Sequence, residues 1–169
     1  MKKTPAALVA FGGVMAALAL VIMNLIGMIP IATFVCPMLC MMILTLVVRF
    51  CGKRIGWAWY GAVAILSSLL APDKEAAAIF VFLGYYPIVK PIFDKLNSGA
   101  FFKLLLFNVM ILLMYWLLIH LFGLSQIAQE YRELGFAMTV VTLLMGNLVF
   151  YLLDRILGRI AVMNKLGRK

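Results

Sequence analysis

The chain has 169 residues, 66% of them hydrophobic and only 12% charged, with 15 Lys and Arg against 6 Asp and Glu. Soluble domains carry about 25% charged residues, so this composition excludes a water-soluble globular fold and points to an integral membrane protein. The length accommodates about six spans of roughly 20 residues with short connections, and a single membrane domain is expected.

The net charge of +9 raises the question of nucleic acid. The basic residues recur at intervals of about two membrane crossings, however, which is a topology signal, and no nucleic-acid partner is expected. Six helices are predicted, at about Pro5 to Met28, Ile31 to Phe50, Ile55 to Leu70, Lys74 to Val89, Phe101 to Phe122, and Phe136 to Leu157. Pro30, Gly52, Pro72, Pro91, Gly99, Gly123 and Gly135 mark their ends, since these residues stop or turn helices.

The first apolar run, Ala6 to Met28, is too long for a signal-peptide core and has no small-residue cleavage site after it, so it is expected to remain as a helix. Ala6, Ala10, Gly13 and Ala17 recur along it at steps of three or four residues. In lipid such a stripe lets another helix approach closely, either one from this chain or one from a partner subunit. In the second helix Cys36 and Cys40 can share a face. With no His or further Cys nearby, they read as small buried groups and no metal site is expected.

The fourth helix is unusual. Between Asp73-Lys74-Glu75 and Lys90 lie 14 apolar and aromatic residues, Ala76 to Val89. That is short of the roughly 20 needed to cross the hydrocarbon, so the helix is expected inside a bundle or with its charged ends in the interface. Asp73 after Pro72 fits an N-cap, and Glu75 in the first turn complements the helix dipole. Lys74 opposes that dipole and calls for a partner, either Glu130 or Glu133 or an anionic ligand. Pro87 and Pro91 remove backbone donors near the far end, which suits a hinge or a packing bend.

Polar residues are sparse elsewhere. Asn108 and Asn147 are costly in hydrocarbon unless bonded, and they are expected to bridge helices through backbone or through each other. Tyr86, Tyr151 and Lys90 read as interface anchors. The third outer connection, Gly123 to Gly135, reads either as a plain surface segment or as a short amphipathic helix with Ile127, Tyr131 and Leu134 on one face.

Alternating the connections assigns Lys2, Lys3, Arg49, Lys53, Arg54, Lys90, Lys95, Lys103, Arg155, Arg159, Lys165, Arg168 and Lys169 to one side, and only Lys74 and Arg132 to the other. Basic residues stay inside, so both termini are expected in the cytoplasm. There is one histidine, His120, with no serine-histidine-acid set, no phosphate-cradling glycine loop and no acidic pair in the membrane body. No enzyme and no cofactor are expected, and the polar residues point to binding or assembly. His120 itself reads either as a ligand or as a hydrated interfacial histidine.

Six short helices with both ends inside, the Ala6-x-x-x-Ala10 spacing, the CPMLCMMI stretch in the second helix and the glycine-rich start of the third resemble the substrate-binding S components of energy-coupling factor (ECF) transporters. The LLAPDKEAAAIFVFLGYYPIVKP region is similar to bacterial S-component-like membrane proteins. The resemblance implies an all-α, six-transmembrane-helix bundle, N-in and C-in, in the bacterial cytoplasmic (inner) membrane. It implies a vitamin or other small nutrient bound from the outer face, with Asn24, Lys74, Tyr115, His120 and Arg132 as the matching pocket residues. It also implies docking of the first helix, through Ala6, Ala10, Gly13 and Ala17, onto an ECF-type coupling transmembrane subunit driven by ATPases. The outer connections lack the dense polar and aromatic set of vitamin-binding members, which keeps a second class open: a non-transporting scaffold or lipid-interacting partner of an envelope complex.

Overall fold

The computed structural model describes residues 4–25, 32–95, 99–120, 140–141 and 143–160. All its regular structure there is helical: α1 (Pro5–Asn24), α2 (Ala32–Cys51), α3 (Lys53–Leu70), α4 (Lys74–Leu83), α5 (Tyr86–Phe93) and α6 (Gly99–His120). A further helix, α7, covers residues 143–160, with 140 and 141 also helical. Among the described residues four stretches are long and apolar enough to cross a membrane: Ala6–Asn24, Thr33–Cys51, Lys74–Phe93 and Gly99–Leu118. α3 and α7 are not among them. α3 opens with Lys53 and Arg54 and carries Ser67 and Ser68, while α7 contains Asp154, Arg155 and Arg159.

The chain forms two compact units, one ending at Lys95 and the other beginning at Leu96. In the first unit α2 packs against α1, α3, α4 and α5, and α3 also touches α1, α4 and α5. The buried face of α2 is Cys36, Met38, Cys40, Met41, Ile43, Leu44 and Val47, which places both expected small thiols in the core. α1 and α2 run antiparallel and are tied by sulfur. Cys40 Sγ donates to the Ala19 carbonyl and Cys51 Sγ to the Leu8 carbonyl, each at 3.5 Å. The indole of Trp59 on α3 donates to the carbonyl of Gly12 on α1 at 3.1 Å.

Two glycines set how near the helices come. A Cβ at Gly56 on α3 would lie 2.5 Å from Val48 Cγ2 on α2, so the close α2–α3 approach requires its absence. Gly84 is tighter. A Cβ there would collide with the Phe80 carbonyl oxygen and lie 3.0 Å from the rings of both Phe80 and Tyr60.

Gly84 also lies where the fourth predicted helix breaks. α4 stops at Leu83, Gly84 and Tyr85 form a turn, and α5 restarts at Tyr86 with Pro87 in its first turn, where a missing N–H is tolerated. The expected end at Val89 is therefore corrected. The helical segment runs on to Phe93, and the pair spans 20 residues, enough to cross about 30 Å of hydrocarbon without special shielding. Tyr60 closes the break by donating its hydroxyl to the Val81 carbonyl, one of the last-turn acceptors of α4 left without a helical donor. Tyr60 also packs edge-on against Trp57 and Tyr85, with centroids at 6.0 and 6.1 Å.

Tyr86 and Lys90 are corrected as well. Tyr86 is fully buried and Lys90 is buried beside Asp94, with Nζ 3.6 Å from Oδ1, so neither is an interface anchor, whereas Tyr151 is exposed. Gly84→Ala is expected to lower unfolding stability in detergent by about 1 to 3 kcal/mol through overpacking. Gly61→Ala, in open space on α3, is expected to leave stability unchanged or raise it by up to about 1 kcal/mol. Paired denaturation curves of the two variants check this.

Candidate functional site

The α3–α4 corner carries the densest polar geometry of the first unit. Ala71 leaves the helical conformation, with ψ near 133°, and ends α3. Asp73 then has the extended backbone of an N-cap, and its Oδ1 accepts from the amides of Glu75 and Ala76 at 2.9 and 3.2 Å. The N-cap expected from sequence is thus present. The second oxygen, Oδ2, accepts at 3.0 Å from the hydroxyl of Thr33 in the first turn of α2. One carboxylate therefore joins the starts of two helices that are 40 residues apart in sequence.

Lys74, the next residue, does the opposite task. Its Nζ donates to the carbonyls of Ser68 and Leu69 at 3.0 and 3.4 Å. Those carbonyls belong to the last turn of α3, where a cation complements both the unpaired acceptors and the negative end of the dipole. The ammonium thus turns away from the helix it begins and caps the one that precedes it. Glu130 and Glu133, its expected partners, lie outside the described residues.

The remaining sequence-predicted site residues are distributed over both units. Asn24 is exposed at the end of α1 and donates its amide to the Leu20 carbonyl at 2.8 Å. Tyr115 is half-buried on α6 in the second unit. His120 ends α6, but its side chain lies outside the described residues, as does Arg132. Asn24 and Lys74 are therefore each engaged with backbone carbonyls of the first unit.

Ala6, Ala10, Gly13 and Ala17 are all exposed. The opposite face of α1, with Gly12, Ala19 and Met23, is buried against the first unit. The small-residue stripe is thus on the outward face of α1 and is not the surface that α2 and α3 cover.

The second unit contains a polar ladder. Asn108 on α6 and Asn147 on α7 exchange amide hydrogen bonds, with Asn108 Nδ2 to Asn147 Oδ1 at 3.1 Å and Asn147 Nδ2 to Asn108 Oδ1 at 2.9 Å. Each amide also donates to the carbonyl four residues back, Leu104 at 2.8 Å and Leu143 at 2.7 Å. Of the two expected ways to bridge the helices, the amides use each other, and the backbone bonds stay within each helix. Phe107 and Phe150 stack beside them with centroids 4.7 Å apart. Beyond that pair, Lys103 Nζ lies 3.3 Å from Asp154 Oδ2, with the two side chains only 11% and 27% exposed. The contacts step up α6 as they step down α7, so the two helices are antiparallel.

Lys103 with Asp154 is the pair that sequence reasoning missed. Lys103 was expected as a topology charge at the membrane surface, but it is buried on the stripe of Phe107, Ile111, Met114 and Leu118. Asp154 sits beside Phe150, Leu153 and Leu157 on the facing helix. Helical spacing from those apolar residues was the signal available. Among the described residues no cluster of His, Cys, Asp and Glu could hold a metal ion.

Compared with protein-family models, curated proteins and solved structures, the chain matches none of them.

Asp154→Leu is expected to destabilise the protein by about 3 kcal/mol, because it leaves a mostly buried ammonium without its carboxylate. Adding Lys103→Met should recover most of that loss, since an apolar pair of similar volume needs no partner. Unfolding midpoints of the single and double variants in detergent provide the measurement.

Proposed function

We propose that this chain is a membrane-embedded substrate-binding subunit of an ECF-type ATP-driven uptake transporter for a vitamin or other small nutrient. In this reading it is a six-span bundle of the bacterial cytoplasmic membrane, with both termini inside, and it has no catalytic step of its own. α3 and α7 cross the membrane alongside the four more apolar helices, their polar groups turned to partners within the bundle or to its surfaces. Energy comes from a coupling transmembrane subunit and its ATPases.

The observation that carries the reading is the outward face of α1. Ala6, Ala10, Gly13 and Ala17 are exposed together, while the helix holds its own unit through the other face. Because apolar area does not drive association in lipid, a surface of small side chains that permits close backbone approach is what a docking helix requires. The composition, the charge asymmetry and the sequence resemblance support the same conclusion.

One observation favours the second reading, a non-transporting scaffold or lipid-interacting partner. Asn24 and Lys74, two of the expected ligand residues, are bonded to backbone carbonyls. A site for a water-soluble nutrient would then rest on Tyr115, His120 and Arg132.

Native mass spectrometry of the protein gently extracted from its own membrane distinguishes the two. The transporter reading predicts a retained small molecule and co-purifying ATPase and coupling subunits, with those partners lost, by tenfold or more, from Ala6→Leu/Ala10→Leu. Lipids alone, with envelope proteins in place of ATPases, would contradict it and leave the scaffold.

A further inference from the structure

The corner between α2 and α3 holds three cations within six residues: Arg49 in the last turn of α2, and Lys53 and Arg54 in the first turn of α3. All three are exposed, and none forms an ion pair with a described residue. By contrast Lys90 and Lys103, which are buried, both have carboxylates beside them. The corner is therefore a concentration of positive charge with no carboxylate partner among the described residues.

Its surroundings indicate what compensates it. Phe50 and Trp57 are 42% and 47% exposed, the first lying between Arg49 and Lys53 in sequence and the second three residues after Arg54. The Arg49 guanidinium sits 5.4 Å from the centroid of the Phe50 ring, which itself packs edge-on against Phe11 on α1. Trp57 stacks on Tyr85 with centroids 6.4 Å apart, leaving its other side outward. Both aromatic anchors are thus held in place by packing within the unit. Between them the chain turns at Gly52, whose φ of 90° suits glycine, and nothing lies within 4 Å of where its Cβ would be. The corner is open.

Arg49 lies in the last turn of a stretch, Thr33–Cys51, that is apolar and long enough to cross the membrane. The cations accordingly sit at the depth of lipid headgroups, with exposed aromatic rings at the depth where interfacial Trp is enriched. A soluble anion would match the charge but would leave the exposed parts of the rings uncovered. An anionic lipid matches both, since basic residues near an anionic leaflet attract its headgroups and rings cover the upper acyl chain. We propose that the α2–α3 corner is a binding site for an anionic phospholipid, its phosphate held by Arg49, Lys53 and Arg54 and its chains lying along Phe50 and Trp57. The site depends only on α2 crossing the membrane, which the transporter and scaffold readings share.

Native mass spectrometry of the full chain in mild detergent, supplied with equal phosphatidylglycerol and phosphatidylcholine, tests it. The wild type is expected to retain phosphatidylglycerol preferentially. Arg49→Gln/Lys53→Gln/Arg54→Gln should weaken that retention by tenfold or more, while Arg155→Gln/Arg159→Gln, which removes two exposed cations of α7, should not. Circular dichroism and a monodisperse elution check that the triple variant is folded. The single exposed change Lys53→Gln, expected to cost about fivefold, keeps the test available if it is not. Equal retention by the wild type and Lys53→Gln and triple variants, an equal loss in the α7 variant, or no preference for phosphatidylglycerol would overturn the proposal. Displacement of the lipid by millimolar glycerol 1-phosphate would also overturn it, by assigning the corner to a soluble anion.

Discussion

A polar atom inside a membrane has no water to fall back on, and this constraint organises what is visible in the chain. Apolar side chains are as content in lipid as in a protein core, so they do little to choose one helix arrangement over another. Backbone groups at helix ends and the few polar side chains must each find a partner, and finding one fixes geometry. The α3–α4 corner shows the effect in two adjacent residues. Asp73 closes the start of α4 and reaches Thr33 at the start of α2, while Lys74 reaches back to the end of α3. Opposite charges are matched to opposite helix ends, and three helices are registered at one point.

The same logic recurs with different groups. At the break between α4 and α5, Tyr60 supplies a hydroxyl to a last-turn carbonyl, and Gly84 leaves space for the rings of Phe80 and Tyr60. Between α1 and α2 the donors are thiols, and between α1 and α3 an indole. In the second unit the helices are joined by an amide pair and an ion pair with stacked rings between. Each device is side chain to backbone or side chain to side chain.

The helical class and the helix positions are legible in the sequence because hydropathy and the Gly and Pro breaks are local signals. Asp73 is legible for the same reason, since an N-cap is read from its immediate neighbours, and so are the paired needs of Asn108 and Asn147. What escapes are the long-range choices. The Lys74 ammonium bends back five and six residues to α3, a direction fixed by the tight corner and not by the charge itself. Lys103 finds Asp154 51 residues away, and a count of basic residues by side cannot tell a buried cation from a surface one. Lys90 and Tyr86 read as anchors for similar reasons, whereas the continuation of helix beyond Gly84 buries them. Of the five residues expected to hold a ligand, Arg132 and the His120 side chain lie outside the described residues, and polarity alone selected the other three. Whether a polar group is already occupied by a backbone carbonyl, as in Asn24 and Lys74, depends on packing.

Two corners of the first unit differ: at one Asp73 and Lys74 settle helix ends, and at the other Arg49, Lys53 and Arg54 form no ion pair with a described residue. α3, 18 residues and so about 27 Å long, joins them. We propose that this helix crosses the bilayer, although it is less apolar than its neighbours, and puts the two corners on opposite faces. The direct measurement is cysteine labelling of intact cells with a membrane-impermeant maleimide, in a background where Cys36, Cys40 and Cys51 are replaced by alanine. If α3 crosses, Pro72→Cys reacts in intact cells and Lys53→Cys only once the membrane is opened. Equal reaction of both positions in intact cells would place the corners on one side and contradict it.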